Sequence, residues 1–203
     1  MPVKYVVVGV LTALAGLVLI GSAFAVFAGG GVGAKEALRR LDRAGCEVRT
    51  APATSGGHIR RLDVAIEYNT RPASNGRHYW SPAIWGLHRE SVDERQLVHN
   101  LEHGGIAVLW GSGVSDDTLA QLRAFYFEDR NGLVLAPLPE LGTQVALTAW
   151  VVDAEPPAKS GKLGAGYVAL CPGFDESAFA GFRSAFRYRG PEAPPKFFLE
   201  AGL

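Results

Sequence analysis

The clearest chemical signal in the chain is a pair of histidines four residues apart, His99 and His103. They lie in the run Val-His-Asn-Leu-Glu-His-Gly-Gly that begins at residue 98. A helix brings residues i and i+4 to one face, about 5–6 Å apart between Cβ atoms. Two imidazoles placed in this way can bind one divalent metal ion, and a stable site needs further ligands. The spacing therefore predicts part of a metal site on a short helix.

Further ligands must come from the remaining histidines, all of which precede this run. His78 is the expected third ligand, because it follows a turn-rich segment and about 13 residues of chain can reach the helix from there. His58 is a weaker fourth candidate. The only methionine is Met1, which excludes a thioether site for Cu(I), and imidazole ligands favour one Cu or Zn ion. The competing interpretation is that His99 and His103 are hydrogen-bonded histidines near a helix C-terminus, where the dipole favours imidazolium.

Glu102 stands between the two histidines in an arrangement that matches the His-x-x-Glu-His order of inverted zinc peptidases, where the glutamate is the general base. The context differs, because Gly104 and Gly105 should end the helix at the second histidine. We expect Glu102 to orient a ligand by a hydrogen bond, and we give Tyr79, which follows His78, the same supporting role. The chain contains no nucleophile elbow, dinucleotide fingerprint or phosphate loop, so its status as an enzyme stays open and a non-catalytic role is favoured.

Local patterns predict the elements that position these residues. A capping box from Ser91 to Glu94 predicts a helix that begins at Val92, and Ser115 caps a second amphipathic helix that ends at Asn131. A first helix stops at Gly45. Strands are predicted at 62–68, 106–110, 133–136 and 145–152, and a last helix at 176–188. This order favours an α+β fold, a single compact domain with a small sheet and helices packed on it.

The N-terminal part is predicted to be a transmembrane helix, because residues 5–34 carry no charged side chain. An apolar segment of about 20 residues spans a bilayer, whereas a cleaved signal has a shorter apolar core. The sequence Ala-Phe-Ala at 23–25 leaves cleavage open as an alternative. We expect the anchor to lie in the lipid bilayer, its predicted partner. The expected organisation is a tail at 1–4, a transmembrane anchor at 5–28, a juxtamembrane helix or linker at 29–45, a globular domain at 46–190 and a C-terminal tail at 191–203.

Charge and cysteine content bear on partners and location. Lysine plus arginine equals aspartate plus glutamate at 20 each, so the chain has no basic surface for nucleic acid. The even pair Cys46 and Cys171 suits a disulfide in an oxidising compartment, and two buried free thiols are the alternative. The basic residues that follow the apolar segment, Lys35 and Arg39 among them, would instead place the domain in the cytoplasm.

Several short motifs together resemble one bacterial family. They are Gly57-His58, Tyr68-Asn69, Ser74 to Tyr79, Val98 to Gly104, Ala149-Trp150 and Pro191-Glu192. This order resembles the family known as domain of unknown function 3105, over about residues 46–192. The resemblance implies a domain held outside the bacterial cytoplasmic membrane by a single N-terminal span, and it implies no established chemistry. The chain departs from the family pattern at two places. The turn at 71–78 differs from the usual turn sequence, and His88 replaces the tyrosine that the family usually has near Gly86.

Three functional hypotheses follow. The first is a membrane-anchored extracytoplasmic domain that binds Cu or Zn through its histidine cluster. The second is a metal-dependent hydrolase with Glu102 as general base. The third is a non-catalytic interaction module of a membrane complex, whose protein partners the sequence does not identify.

Overall fold

The computed structural model describes residues 32–153 and 161–203. The predicted anchor at 5–28 lies outside the described residues. Within the described ranges, no helix is both long enough and apolar enough to cross a membrane.

Four helices and eight strands are present in the described part of the chain. In order they are α1 (Ala34–Arg43), β1 (Glu47–Pro52), β2 (His58–Ile59), β3 (His78–Tyr79), β4 (Gly86–Leu87), α2 (Glu94–Glu102), β5 (Ile106–Trp110), α3 (Asp116–Glu128), β6 (Leu133–Pro137), β7 (Val145–Val151), β8 (Ala165–Cys171) and α4 (Glu176–Phe186). Short 3-10 turns lie at Pro139–Leu141 and Lys196–Leu199.

Six of the strands form one mixed sheet in the order β1-β8-β7-β5-β6-β4. The pairs β5 with β6 and β4 with β6 are parallel, and the other neighbours are antiparallel. The two remaining strands, β2 and β3, pair in parallel outside this sheet. The domain is therefore a single compact α+β unit, as predicted.

Both faces of the sheet are covered, which explains why its central strands are apolar throughout. All seven residues of β7 are buried. Alternate residues of β7 pack with α1, α3 and α4 on one face, where Phe182 and Leu122 are fully buried. The other residues, including Trp150, pack with α2 on the opposite face. Helix α2 thus lies alone of the four helices on the face that carries the histidines.

Two predictions about the segment before α2 are wrong. Residues 62–68 do not form a strand, and Leu62 is partly exposed. The segment shows the expected alternation in sequence but pairs with no strand among the described residues. It lies beside α2, where the carbonyl of Val64 accepts a hydrogen bond from Arg95. Helix α2 begins at Glu94 with Asp93 as its N-cap, not at Val92. The capping box does not form because Glu94 accepts a hydrogen bond from the backbone N–H of Ala73.

The ends of the domain extend beyond the predicted boundaries. Helix α1 belongs to the core, because Ala37 and Leu41 are fully buried in the cluster that contains α4. At the other end, Leu199 is fully buried in the cluster on the α2 face. The domain therefore includes chain on both sides of the predicted range.

The disulfide between Cys46 and Cys171 is formed, and the alternative of two free thiols is wrong. Its position follows from the sheet, because β1 pairs antiparallel with β8 and Glu47 lies opposite Leu170. Cys46 and Cys171 are therefore neighbours across two strands that are distant in sequence. The bond fixes α1 and β1 to the edge of the sheet.

Candidate metal centre

The end of helix α2 is set by two glycines. The helix ends at Glu102 and His103 is its C-cap. Gly104 has a φ of +84°, a conformation that side chains disfavour, and a Cβ there would lie 2.9 Å from the Cα of Tyr188. At Gly105 a Cβ would collide with the ring of Trp85. The glycine pair therefore ends the helix as predicted and lets the chain enter β5 directly.

A short parallel strand pair brings two more histidines to this helix. His58 of β2 lies opposite His78 of β3 in the strand register, and their ring centroids are 4.7 Å apart. The ring of His99 lies 4.9 Å from each of these two rings. Histidines separated by 41 residues of chain thus form one cluster, because β3 packs against α2.

The carboxylate of Glu102 completes this cluster, which we call the inner group: His58, His78, His99 and Glu102. Its Oε2 lies 3.0 Å from Nε2 of His78 and 3.6 Å from Nε2 of His58. One potential ligand atom from each of the four residues lies within 4.8 Å of all the others. In a tetrahedral site with bonds of about 2.1 Å, ligand atoms are about 3.4 Å apart. The inner group is therefore close to the size that a single ion requires.

Two backbone carbonyls fix which ring nitrogens face the inner group. Nδ1 of His78 lies 2.8 Å from the carbonyl of Gly76, and Nδ1 of His99 lies 2.8 Å from the carbonyl of Tyr79. A carbonyl oxygen only accepts, so each Nδ1 carries the proton that it donates. In the neutral rings both Nε2 atoms then present lone pairs to the inner group.

With His78 in this neutral form, its buried contact with Glu102 joins two acceptors. His78 is fully buried and the side chain of Glu102 is only 5% exposed. Nε2 of His78 and Oε2 of Glu102 satisfy the distance of an ion pair, yet neither atom has a hydrogen-bond partner among the described residues. Buried polar atoms are rarely left in this state. A cation between the lone pairs would satisfy both.

His103 belongs to a second group, which we call the outer group: His99, His103 and Glu192. Nε2 of His103 lies 3.2 Å from Nε2 of His99 and 3.1 Å from Oε2 of Glu192. These ligand atoms also lie within 4.8 Å of one another. The predicted set of four histidines is thus divided, with His58 and His78 on the inner side of His99 and His103 on the outer side.

The sequence of this chain matches a known family. The profile of the family described as "Protein of unknown function (DUF3105)" matches residues 60–193. The chain belongs to this family. No curated protein and no solved structure matches the chain. In this DUF3105 domain the matched range contains every residue of the inner and outer groups except His58, which lies two residues before it.

Electrostatics keep the two helix histidines of the DUF3105 domain neutral. Burial lowers the pKa of His99 to about 4, although its hydrogen bond to the carbonyl of Tyr79 acts in the opposite direction. Burial also lowers the pKa of His103, against the effect of the nearby Glu192 and Glu102 carboxylates. Neutral imidazole is the form that binds metal. Both rings are therefore held in the ligand form.

The structure gives three residues near the site positions that the sequence did not specify. Glu102 was expected only to orient a ligand, and its carboxylate lies within the inner group itself. Tyr79 contacts His99 through its backbone carbonyl rather than its ring. Glu192 was assigned to a tail, and its backbone N–H donates to the carbonyl of Glu102, which holds it beside α2. The motif Pro191-Glu192 was its only signal in the sequence.

Proposed function

We propose that this DUF3105 domain binds one divalent transition metal ion, Zn(II) or Cu(II), through the inner group. The observation that carries the proposal is the buried contact between Nε2 of His78 and Oε2 of Glu102, which lie 3.0 Å apart without a hydrogen-bond partner. An ion at this point replaces the unfavourable contact of two acceptors with two metal bonds. The carbonyls of Gly76 and Tyr79 then orient the rings, as carbonyl partners of metal-bound histidines do.

The chemistry of the donor set supports Zn(II) or Cu(II). The inner group offers three imidazoles and one carboxylate, and it contains no thiolate or thioether that would select Cu(I). Cys46 and Cys171, the only cysteines, are joined to each other. The side chain of His58 is 43% exposed, so the site has one ligand at the surface and three in the interior.

Binding rather than hydrolysis is favoured by the position of Glu102. A general base must be free to accept a proton from a metal-bound water, whereas the Glu102 carboxylate lies among the ligand atoms and is buried. We therefore propose storage or delivery of the ion in preference to a metal-dependent hydrolase. A Glu102→Gln variant separates the two, because a hydrolase would keep the metal and lose turnover.

We further propose that the domain faces the outside of the bacterial cytoplasmic membrane, held by residues 5–28. The apolar composition of this segment supports an anchor. The disulfide supports an oxidising compartment. Protease added to intact spheroplasts should degrade the domain, and protection of the domain until lysis would contradict this orientation.

Metal content is the test of the proposed site. The full chain, purified without a histidine tag and reloaded with Zn(II), should contain one equivalent by mass spectrometry of the elements. His99→Asn should lose that equivalent, whereas His88→Asn should retain it. His88 is the matched control because its Nε2 lies 2.8 Å from the carbonyl of Ile84, outside both groups. Equal metal content in the two variants would contradict the proposal.

Ligand binding should also appear as thermal stabilisation. An ion at 100 times its Kd stabilises the folded state by about 2.7 kcal/mol. For a domain of this size, each kcal/mol raises Tm by about 2–4 °C. Chelation should therefore lower Tm of the loaded wild type by about 5–11 °C and leave His99→Asn unchanged.

A further inference from the structure

The outer group offers metal ligands at the surface beside the buried part of the inner group. The side chain of Glu192 is 51% exposed and that of His103 is 20% exposed. In the inner group, His78 is fully buried and Glu102 nearly so. Exposure thus falls from Glu192 through His103 to His78 and Glu102, while His58 of the inner group also reaches the surface at 43% exposure.

The two groups share a single atom. Nδ1 of His99 is engaged with the carbonyl of Tyr79, so only Nε2 of His99 can bind an ion. That nitrogen has one lone pair and serves one ion at a time. Two ions therefore cannot be bound at the same time by all the ligands of both groups. A single ion that moves from one group to the other can stay bound to His99 throughout.

The outer group has its own excess of acceptors. Nε2 of His103 lies within 3.2 Å of both Nε2 of His99 and Oε2 of Glu192. Nε2 of His103 carries at most one proton, and that proton cannot satisfy both acceptors. The group also stands at the C-terminus of α2, where the helix dipole favours a cation. The outer group is therefore suited to hold a metal ion briefly.

We infer that the outer group is the loading and release station of the inner site. An incoming ion binds first to Glu192 and His103, then to His99, and then passes to the buried ligands, and it leaves by the reverse route. This inference rests on the proposed metal binding by the inner group. The backbone hydrogen bond from Glu192 to the carbonyl of Glu102, at 3.1 Å, keeps the station beside the site.

Exchange kinetics of Cu(II) test this route in the full chain. Trp150 reports on the inner site, because its ring centroid lies 6.1 Å from that of His78 and Cu(II) quenches nearby indole fluorescence. Stopped-flow mixing with Cu(II) gives the association rate constant, and transfer to excess chelator gives the dissociation rate constant. The variants are Glu192→Gln and His103→Gln, with Glu140→Gln as a control that removes the same charge from an exposed turn.

The expected result is that Glu192→Gln and His103→Gln slow association and dissociation together, by about tenfold, a modest size for a charged path that concentrates an ion. The ratio of the two rate constants then changes less than either, and Glu140→Gln resembles wild type. Equal slowing follows because an ion that enters and leaves through the outer group passes it in both directions.

Each other outcome overturns the inference in a different way. Slower association alone means that Glu192 only attracts cations at a distance. Faster dissociation alone means that Glu192 and His103 are ligands of the resting ion. Unchanged rates mean that ions pass directly by the exposed His58. A wild type that gives no Cu(II) response and also holds no equivalent of Zn(II) overturns the proposed function as well, so the two failures are distinguishable.

Discussion

Glu102→Gln should make the metal-free protein more stable while it weakens metal binding. In the wild type, Oε2 of Glu102 faces Nε2 of His78 across 3.0 Å, and neither atom has a hydrogen-bond partner among the described residues. An amide NH₂ at this position can donate to His78, and its second N–H points toward Nε2 of His58, 3.6 Å from the present oxygen. The substitution also removes a buried negative charge. A change that damages the site should therefore stabilise the fold.

The magnitude follows from the cost of unsatisfied buried groups. Leaving one such group without a partner costs about 1–3 kcal/mol, so satisfying the pair should raise the free energy of unfolding by about 1–3 kcal/mol. Urea unfolding with a chelator present measures this change. Glu140→Gln is the control, because an exposed substitution of the same kind should alter stability by no more than about 0.5 kcal/mol. Metal affinity of Glu102→Gln should fall by at least about tenfold, since loss of even an indirect partner has an effect of that size.

The result that refutes the reasoning is destabilisation of metal-free Glu102→Gln by more than about 1 kcal/mol. That outcome would mean that His78 is protonated and forms a buried ion pair with Glu102, because removal of one partner of such a pair is strongly destabilising. The inner group would then be satisfied without a metal. If Glu102→Gln stabilises the metal-free protein but leaves its metal affinity unchanged, Glu102 is not a ligand.

Two further predictions concern stability away from the site. Joint replacement of Cys46 and Cys171 by alanine should lower the free energy of unfolding in urea by up to about 5 kcal/mol, because the disulfide closes a loop of 125 residues, and a loss below about 1 kcal/mol would contradict this. The hydrogen bond and charge of Arg187 lower the pKa of Asp129, so this pair contributes stability above the unfolded pKa of aspartate and loses it as pH falls through the folded value. Asp129→Asn should therefore flatten the decline of Tm below about pH 4, and a decline as steep as that of wild type would rule out this contribution.

Elements with strong local signals could be predicted from the sequence. Ser115 caps α3 as expected, and strand β5 has the predicted bounds of Ile106 and Trp110. These elements carry their own caps or apolar runs, so little distant information is needed. Strands β1 and β8 were missed. In the described part of the chain, strand β1 pairs only with β8, which is distant in sequence, and β8 is held by pairing with both β1 and β7.

The same distinction applies to the helix that carries the site. The spacing of His99 and His103 and the stop at Gly104 could be read directly. The start of the helix could not be predicted, because Glu94 accepts a hydrogen bond from the backbone N–H of Ala73. The N-cap is Asp93 instead of Ser91. A distant partner can therefore override a correct local motif.

The division of the site into two groups depends entirely on tertiary structure. Residue types and the i, i+4 spacing predicted that His58, His78, His99 and His103 would be close. They could not predict that the carbonyl of Tyr79 leaves His99 a single free nitrogen. Glu192 lies 89 residues from His103 and reaches it only because α4 packs on the sheet and returns the chain to α2.

Anomalous diffraction from crystals of the Zn(II)-loaded full chain tests the central claim most directly. The account predicts one strong peak within about 2.0–2.2 Å of Nε2 of His78 and of His99 and of a carboxylate oxygen of Glu102, with His58 at the exposed position. Zinc elsewhere on the surface, with His78 and Glu102 still in contact, would contradict it.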